Sequence, residues 1–140
     1  MRLLAKEVPL KEAILSYIKD VYPDIKGELP DVRVLDDEQL WKEIPGLRVW
    51  AFYDVTRNTL YFIGGPSPAT IAREPGIEIF YRGIPARYTV AHEVEHWAQA
   101  QRVGPELYMK QVETEEGYLE YERAADEMGL ANAPRLKWLG

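Results

Sequence analysis

The residues best suited to chemistry are His92, Glu93 and His96, two histidines four positions apart with a glutamate directly after the first. On a helix, residues i and i+4 lie on one face about 5–6 Å apart, so both imidazoles can reach one zinc ion. Glu93 then lies beside the metal, where a carboxylate can take a proton from the water that zinc activates. The spacing predicts a hydrolytic zinc site with His92 and His96 as ligands and Glu93 as general base.

A third protein ligand is needed for a catalytic zinc ion, and it must be a carboxylate because the chain has 2 His and no Cys. The candidates are the acidic residues near the end of the chain: Glu113, Glu115, Glu116, Glu120, Glu122, Asp126 and Glu127. We choose Glu122 because Tyr118, Glu122 and Asp126 recur at i, i+4 along one helical stripe. Asp126 would then accept a hydrogen bond from a ligating imidazole. The alternative is that Glu122 is a solvent-exposed charge.

Hydrophobic periodicity and turn residues predict the elements that hold these side chains. In chain order they are a helix at 9–22, a strand at 32–35, a helix at 38–44, strands at 48–54 and 59–63, helical turns at 68–74, a strand at 77–81, and helices at 85–103 and 114–129. Asn58 is expected in the left-handed conformation, in the hairpin between the second and third strands. Gly104 and Pro105 are expected to end the helix that carries the histidines.

This order predicts an α+β fold in one domain, 1–140, with 134–140 as a C-terminal tail. Its parts are a small, mostly antiparallel or mixed sheet, a backing helix, a zinc-binding helix and a helix that carries the glutamate ligand. Small residues should allow the last two helices to approach closely: Ala91 and Ala98 on one, Ala124 and Ala125 on the other.

Composition excludes several other classes of protein. The formal net charge of −6 is the wrong sign for binding nucleic acid or anionic membranes. The absence of cysteine excludes disulfides, iron–sulfur clusters and thiolate zinc sites.

The apolar clusters fall short of the ~18 residues that span a bilayer, and the charged start does not resemble a signal peptide. We therefore expect a cytoplasmic protein, and the scarcity of Asn, Gln and Ser favours a thermophilic source. Nothing in the pattern indicates an oligomeric state.

The two segments His92–His96 (HEVEH) and Glu122–Asp126 (ERAAD) resemble the HExxH plus ExxAD pair of gluzincin metallopeptidases. This pair occurs in the soluble minigluzincins and in membrane-bound relatives of the CAAX prenyl protease and HtpX. The run at 87–91 is also similar to the segment before the zinc helix of ImmA/IrrE-type peptidases. The resemblance implies a minimal zincin-like domain that binds zinc through His92, His96 and Glu122. It also implies Glu93 as general base and acid, and Asp126 as support for a ligand.

A second similarity lies upstream of the zinc motif. Ala51, Phe52 and Tyr53 resemble the Asn-Ala-Phe strand that forms the upper rim of gluzincin clefts, with Trp50 in place of the asparagine. An edge strand exposes unpaired backbone groups, to which an extended peptide can add as another strand. Trp50, Ala51 and Phe52 are therefore candidate substrate-binding residues. The alternative is that Trp50 and Phe52 simply fill the core.

The chain also departs from related motifs. Gln99 and Arg102 occupy positions where a three-histidine motif would have a glycine and its third ligand, which excludes a metzincin site. Glu95 stands where many gluzincins have glycine. It either adds negative charge to the site or is a solvated or ion-paired surface residue. With no third histidine, stabilisation of the oxyanion would fall to Tyr118, Tyr121 or Arg87.

The function expected from these features is a soluble zinc metalloendopeptidase acting on a peptide or protein substrate. In one alternative the enzyme is latent, with residues 134–139 lying in an acidic cleft until displaced. In another, the protein is a regulatory module that recognises a partner through its exposed strand and uses the metal for structure only.

Overall fold

The computed structural model describes residues 7–44, 51–65 and 87–136. In chain order the elements are α1 (Glu7–Val21), β1 (Asp31–Asp36), α2 (Asp37–Glu43), β2 (Ala51–Asp54), β3 (Thr59–Gly65), α3 (Arg87–Val103), α4 (Pro105–Val112) and α5 (Glu115–Asn132), followed by a 3₁₀ turn at Ala133–Arg135. The predicted helical turns at 68–74 and strand at 77–81 lie outside the described residues, as do Trp50 and the end of the tail, 137–140.

The three described strands form a mixed sheet in the order β1-β3-β2. β3 is the central strand, parallel to β1 and antiparallel to β2. Asn58, at the hairpin between β2 and β3, has the left-handed conformation that was predicted, with φ of 49°. Its side-chain amide donates to the carbonyls of Glu28 and Leu29, which ties the hairpin to the segment before β1. The expectation of an α+β fold with a small mixed sheet is confirmed for the described residues.

Both faces of β3 are covered, because successive side chains of a strand point to opposite faces. Leu60 and Phe62 pack into the main core, which also includes the apolar faces of α1 and α3. Tyr61 and Ile63 point the other way and pack beneath α2 in a smaller cluster. The capping box of Asp36 starts α2 directly at the end of β1, so this helix returns across that second face.

The helix that carries both histidines lies between the sheet and α5. Val90, Val94 and Trp97 of α3 are completely buried in the main core. Ala98 of α3 and Ala125 of α5 are also completely buried. Helices α3 and α5 pack against each other, as expected, while the part that the alanines play in this packing stays a prediction. The helices of the described ranges include none that is long and apolar enough to cross a membrane.

The helix α4 was missed by the sequence analysis, which treated Gly104 and Pro105 only as a stop. Gly104 has φ of 92°, a conformation that favours glycine, and it ends α3 while Pro105 begins the next helix. Proline suits a first helical position because its missing N–H would have no partner there and its φ is already helical. Thr114 then caps α5, accepting a hydrogen bond from the N–H of Gly117. Through α4 the chain reverses, so that α5 packs against α3.

Candidate metal centre

Three side chains from two helices converge at one point. On α3, Nε2 of His92 and Nε2 of His96 lie 3.2 Å apart, as their i, i+4 spacing predicts. Glu122 of α5 reaches both rings: its Oε1 is 3.3 Å from Nε2 of His92, and its Oε2 is 2.7 Å from Nε2 of His96. The structure therefore brings together the three residues that were predicted as ligands, and their donor atoms form a group that could hold a metal ion.

Two of the three separations between these donor atoms match the spacing of ligands around a small four-coordinate ion. Bonds of about 2.05 Å at tetrahedral angles place neighbouring ligand atoms about 3.3 Å apart. The separations of 3.2 Å between the two imidazoles and 3.3 Å between His92 and Glu122 are close to that value. The shorter contact between His96 and Glu122 is a direct ion-pair distance. Two imidazole nitrogens and one carboxylate oxygen are also a donor set that leaves a fourth position open.

The charges of the three residues are strongly coupled. Burial lowers the pKa of both imidazoles, but hydrogen bonds to Glu122 and the charge of Glu93 outweigh burial, so that both pKa values lie above the ordinary value. The hydrogen bonds from His92 and His96 hold the pKa of Glu122 far below its ordinary value. Without a metal, each imidazole therefore holds a proton more strongly than an isolated histidine does, and a metal must compete with protons for these nitrogens.

Glu93 lies beside this group on the side of the sheet. Its carboxylate is half-buried and forms a backbone hydrogen bond with Tyr53 of β2. Burial raises the pKa of Glu93, although the two nearby imidazoles act in the opposite direction. A carboxyl group beside a metal site can both accept and return a proton, and a raised pKa strengthens its hold on that proton.

A small cleft of about 270 Å³ opens between β2 and α5 at this point. Its lining includes Glu93, His96 and Glu122, and the predicted substrate residues Ala51 and Phe52 form its wall on the side of the sheet. In the described part of the sheet, β2 is an edge strand. Ala51 and Phe52 also pack against the two hydrophobic clusters, so this strand contributes to the core as well as to the cleft.

Asp126 lies close to His92, as the stripe on α5 predicts. Its Oδ1 is 3.0 Å from Nδ1 of His92, but this nitrogen has no hydrogen-bond partner among the described residues. The same Oδ1 accepts a hydrogen bond of 2.5 Å from the hydroxyl of Tyr88, which the sequence analysis did not single out. This hydrogen bond raises the pKa of Tyr88 to about 12.

The three oxyanion candidates occupy different places. Tyr118 lines the cleft and is 50% exposed, so it is the one of the three that lies at the metal cleft among the described residues. The hydroxyl of Tyr121 donates to Gln111, and Tyr121 lines a separate, larger cleft of about 690 Å³ between α3, α4 and α5. Arg87 is exposed at the first residue of α3 and is not part of the described lining of the metal cleft.

Glu95 is not the surface residue that was expected. It is 3% exposed, it accepts a hydrogen bond from the hydroxyl of Tyr22 at 2.8 Å, and it pairs with Arg102 at 2.9 Å. The expectation of an ion pair is confirmed, but the pair lies within α3 and is partly buried, and it is the hydrogen bond from Tyr22 that joins Glu95 to the end of α1. Tyr22 could not be foreseen as a partner, because it is brought to Glu95 by the packing of the two helices.

The beginning of the tail lies away from the metal cleft. Arg135 forms an ion pair with Asp20 near the end of α1, at 2.9 Å, and Leu136 is buried in the main core. The remaining tail residues that were expected to reach an acidic cleft lie outside the described ranges. The described part of the tail thus acts as packing against α1.

Two residues next to His96 were not recognised as functional from the sequence. Gln99 and Tyr108 both lie near Nδ1 of His96, at 2.9 and 3.3 Å. Gln99 follows His96 by three residues and shares its helix face, a signal that the sequence does contain. Tyr108 lies on α4, the helix that was not predicted.

Comparison with protein-family models, curated proteins and solved structures found no match for this chain.

Proposed function

We propose that this chain is a zinc-dependent metallopeptidase of the gluzincin type. One observation carries the proposal: the donor atoms of His92, His96 and Glu122 converge beside Glu93, in a cleft whose other wall is an edge strand. The resemblance of the two motifs to HExxH and ExxAD supports the same assignment. The small α+β fold is compatible with a minimal zincin-like domain.

Zinc is the metal that this donor set favours. Imidazole suits zinc, copper, iron and nickel, whereas magnesium and calcium prefer sites built entirely of oxygen ligands. Three protein ligands of this type, with an open fourth position, are typical of catalytic zinc sites. When bound, the ion would polarise the substrate carbonyl and lower the pKa of a coordinated water toward ~7.

Glu93 would move the proton in this reaction. Its carboxylate accepts a proton from the attacking water and then gives it to the nitrogen of the leaving amine. The backbone hydrogen bond with Tyr53 holds this carboxylate between the metal ligands and the strand where substrate would lie. The raised pKa of Glu93 favours the second half of this cycle, in which the carboxyl group must keep the proton until the amine leaves.

An extended peptide is the substrate class that the cleft fits best. The edge strand β2 can pair with a peptide backbone, while the cleft of about 270 Å³ lies directly beneath it. Pockets for whole small molecules usually measure ~300–1,000 Å³. A cleft just below this range suits one side chain of a bound peptide, with Phe52 and Tyr118 as its aromatic walls.

The variant Glu93→Gln tests this proposal because it preserves shape and removes the proton acceptor. It should bind zinc like the parent protein and lose ~10²–10⁴-fold in the rate of peptide cleavage. Zinc content and cleavage of a peptide panel would be measured together. Glu120→Gln makes the same chemical change at a side chain that is 67% exposed on α5, and it should leave both quantities unchanged.

Parental cleavage rates in Glu93→Gln would contradict the assigned role of this residue. A zinc-binding protein that cleaves no peptide and binds no hydroxamate would instead favour the regulatory module, because a hydroxamate needs an open coordination position.

A further inference from the structure

The side chain of Gln99 lies buried between the two helices that supply the metal ligands. The residue is 3% exposed and follows His96 by one turn of α3. Its Oε1 is 2.9 Å from Nδ1 of His96, and its Nε2 donates to the backbone carbonyl of Tyr121 at 3.0 Å. Tyr121 directly precedes Glu122, so this one side chain connects the second ligand with the backbone that carries the third.

The chemistry of these groups leaves one arrangement of protons. A backbone carbonyl can only accept a hydrogen bond, so the NH₂ of Gln99 must face Tyr121. The amide oxygen must then face His96, and because it too can only accept, Nδ1 of His96 must carry a hydrogen. When a metal displaces a proton from this ring, the nitrogen left with a free lone pair is therefore Nε2, which faces His92 and Glu122.

We propose that Gln99 is a positioning residue for His96: its amide holds Nδ1–H, orients the ring and directs Nε2 to the metal. This inference rests on the proposed function insofar as it requires the site to bind a metal, but it does not require peptide cleavage. Groups that hold the second nitrogen of a ligating histidine determine its tautomer and ring orientation, and their loss commonly weakens metal binding ~10–100-fold.

Other neighbours of the ligand rings do not replace this amide. The hydroxyl of Tyr108 lies 3.3 Å from the same Nδ1, but a hydroxyl can donate as well as accept and therefore selects no tautomer. Asp126 lies 3.0 Å from Nδ1 of His92, not of His96, and forms no hydrogen bond with it. Of the two ligand rings, only that of His96 has a hydrogen bond to its second nitrogen within the described residues.

Four variants separate the orienting role from a merely structural one. Gln99→Leu removes both hydrogen bonds of the amide. Gln99→Glu keeps an acceptor for His96 but places a carboxylate against the carbonyl of Tyr121, so it should fold less stably. Gln111→Leu is the matched control, because Gln111 bonds to the hydroxyl of Tyr121 and does not touch His96. Tyr108→Phe removes the other group near Nδ1.

Two measurements are made on each folded variant. The dissociation constant for zinc is obtained by competition with a chelator. The cobalt-substituted protein is then examined by proton NMR for the exchangeable N–H resonance of His96, which persists when that hydrogen is held by a buried acceptor. Thermal unfolding of the metal-free proteins reports stability independently.

We expect Gln99→Leu to weaken zinc binding ~10–100-fold and to lose the slowly exchanging resonance. Gln99→Glu should bind zinc within about threefold of the parent despite lower stability, and the other two variants should also remain within about threefold. Parental affinity in Gln99→Leu would overturn the proposal. So would equal weakening in both variants at 99, or loss of the resonance in Tyr108→Phe alone.

These results are distinguishable from failure of the proposed function. If the parent protein bound no metal, the metallopeptidase itself would be refuted. If the parent and Gln99→Leu bound zinc equally well, the metallopeptidase would stand and only the role of Gln99 would be refuted.

Discussion

Replacing Glu122 by alanine should remove the third metal ligand while leaving both imidazoles in place. Structural zinc sites with four ligands contribute about 10–16 kcal/mol of binding free energy, so that one ligand accounts for about 2.5–4 kcal/mol. With about 1.4 kcal/mol per factor of ten, Glu122→Ala should weaken zinc binding ~60- to 700-fold. Glu120→Ala is the matched control, because Glu120 lies on the same helix but is 67% exposed. Its contact is a surface ion pair with Arg123 at 4.0 Å.

The size of this loss should depend on pH in a direction that the structure determines. In the metal-free parent, hydrogen bonds to Glu122 help to raise the pKa of both imidazoles, so protons compete with zinc for the same nitrogens. The variant lacks this contribution, so its imidazoles lose their protons at lower pH. The affinity difference between parent and variant should therefore widen as the pH rises and narrow as it falls.

Competition with a chelator at several pH values between about 6 and 9 measures both effects, with unfolding scans to show that each variant is folded. Glu120→Ala should stay within about twofold of the parent throughout, as expected for an exposed charge. Equal losses at positions 120 and 122 would show that the third ligand lies elsewhere. A difference that widens toward low pH would refute the assigned coupling between Glu122 and the imidazoles.

Two further predictions concern stability. The protonated imidazoles stabilise the metal-free fold fully below their ordinary pKa of 6.5, and this stabilisation is lost as the pH rises through their raised pKa values. The Tm of the chelated protein should therefore fall over that pH interval, and added zinc should restore it. A Tm that rises over the interval would contradict the pairing with Glu122. Tyr22→Phe, which leaves one oxygen of buried Glu95 without its donor, should lower the free energy of unfolding by about 1–3 kcal/mol in urea titrations. Tyr17→Phe is the control, since no described group bonds that buried hydroxyl; equal losses in both variants would refute the argument.

Local patterns were sufficient to predict much of the framework. Helices α1, α3 and α5, the strand β1 and the hairpin at Asn58 follow from periodicity, caps and turn residues, all of which act within a few residues along the chain. Helix α4 was missed because Gly104 and Pro105 mark the end of one helix and the start of the next with the same two residues. The parallel pairing of β1 with β3 joins segments that are distant in sequence, so no local pattern indicated it.

The candidate site likewise depends partly on local residue spacing and partly on how the helices pack. The sequence by itself determined that His92, Glu93 and His96 share one side of a helix, because their spacing matches the helical repeat. Glu122 could be chosen from its acidic neighbours by its stripe and motif, but its distances to the imidazoles depend on how α5 crosses α3. That crossing is decided by how the two helices pack against each other, which no local pattern specifies.

Only the tertiary structure decided that Tyr108 of α4 lies near Nδ1 of His96, and that Glu95 turns inward to Tyr22. These contacts join side chains on different elements. Their geometry is set by packing and by the need to satisfy buried polar groups, and neither of these is encoded in the spacing of residues along one helix.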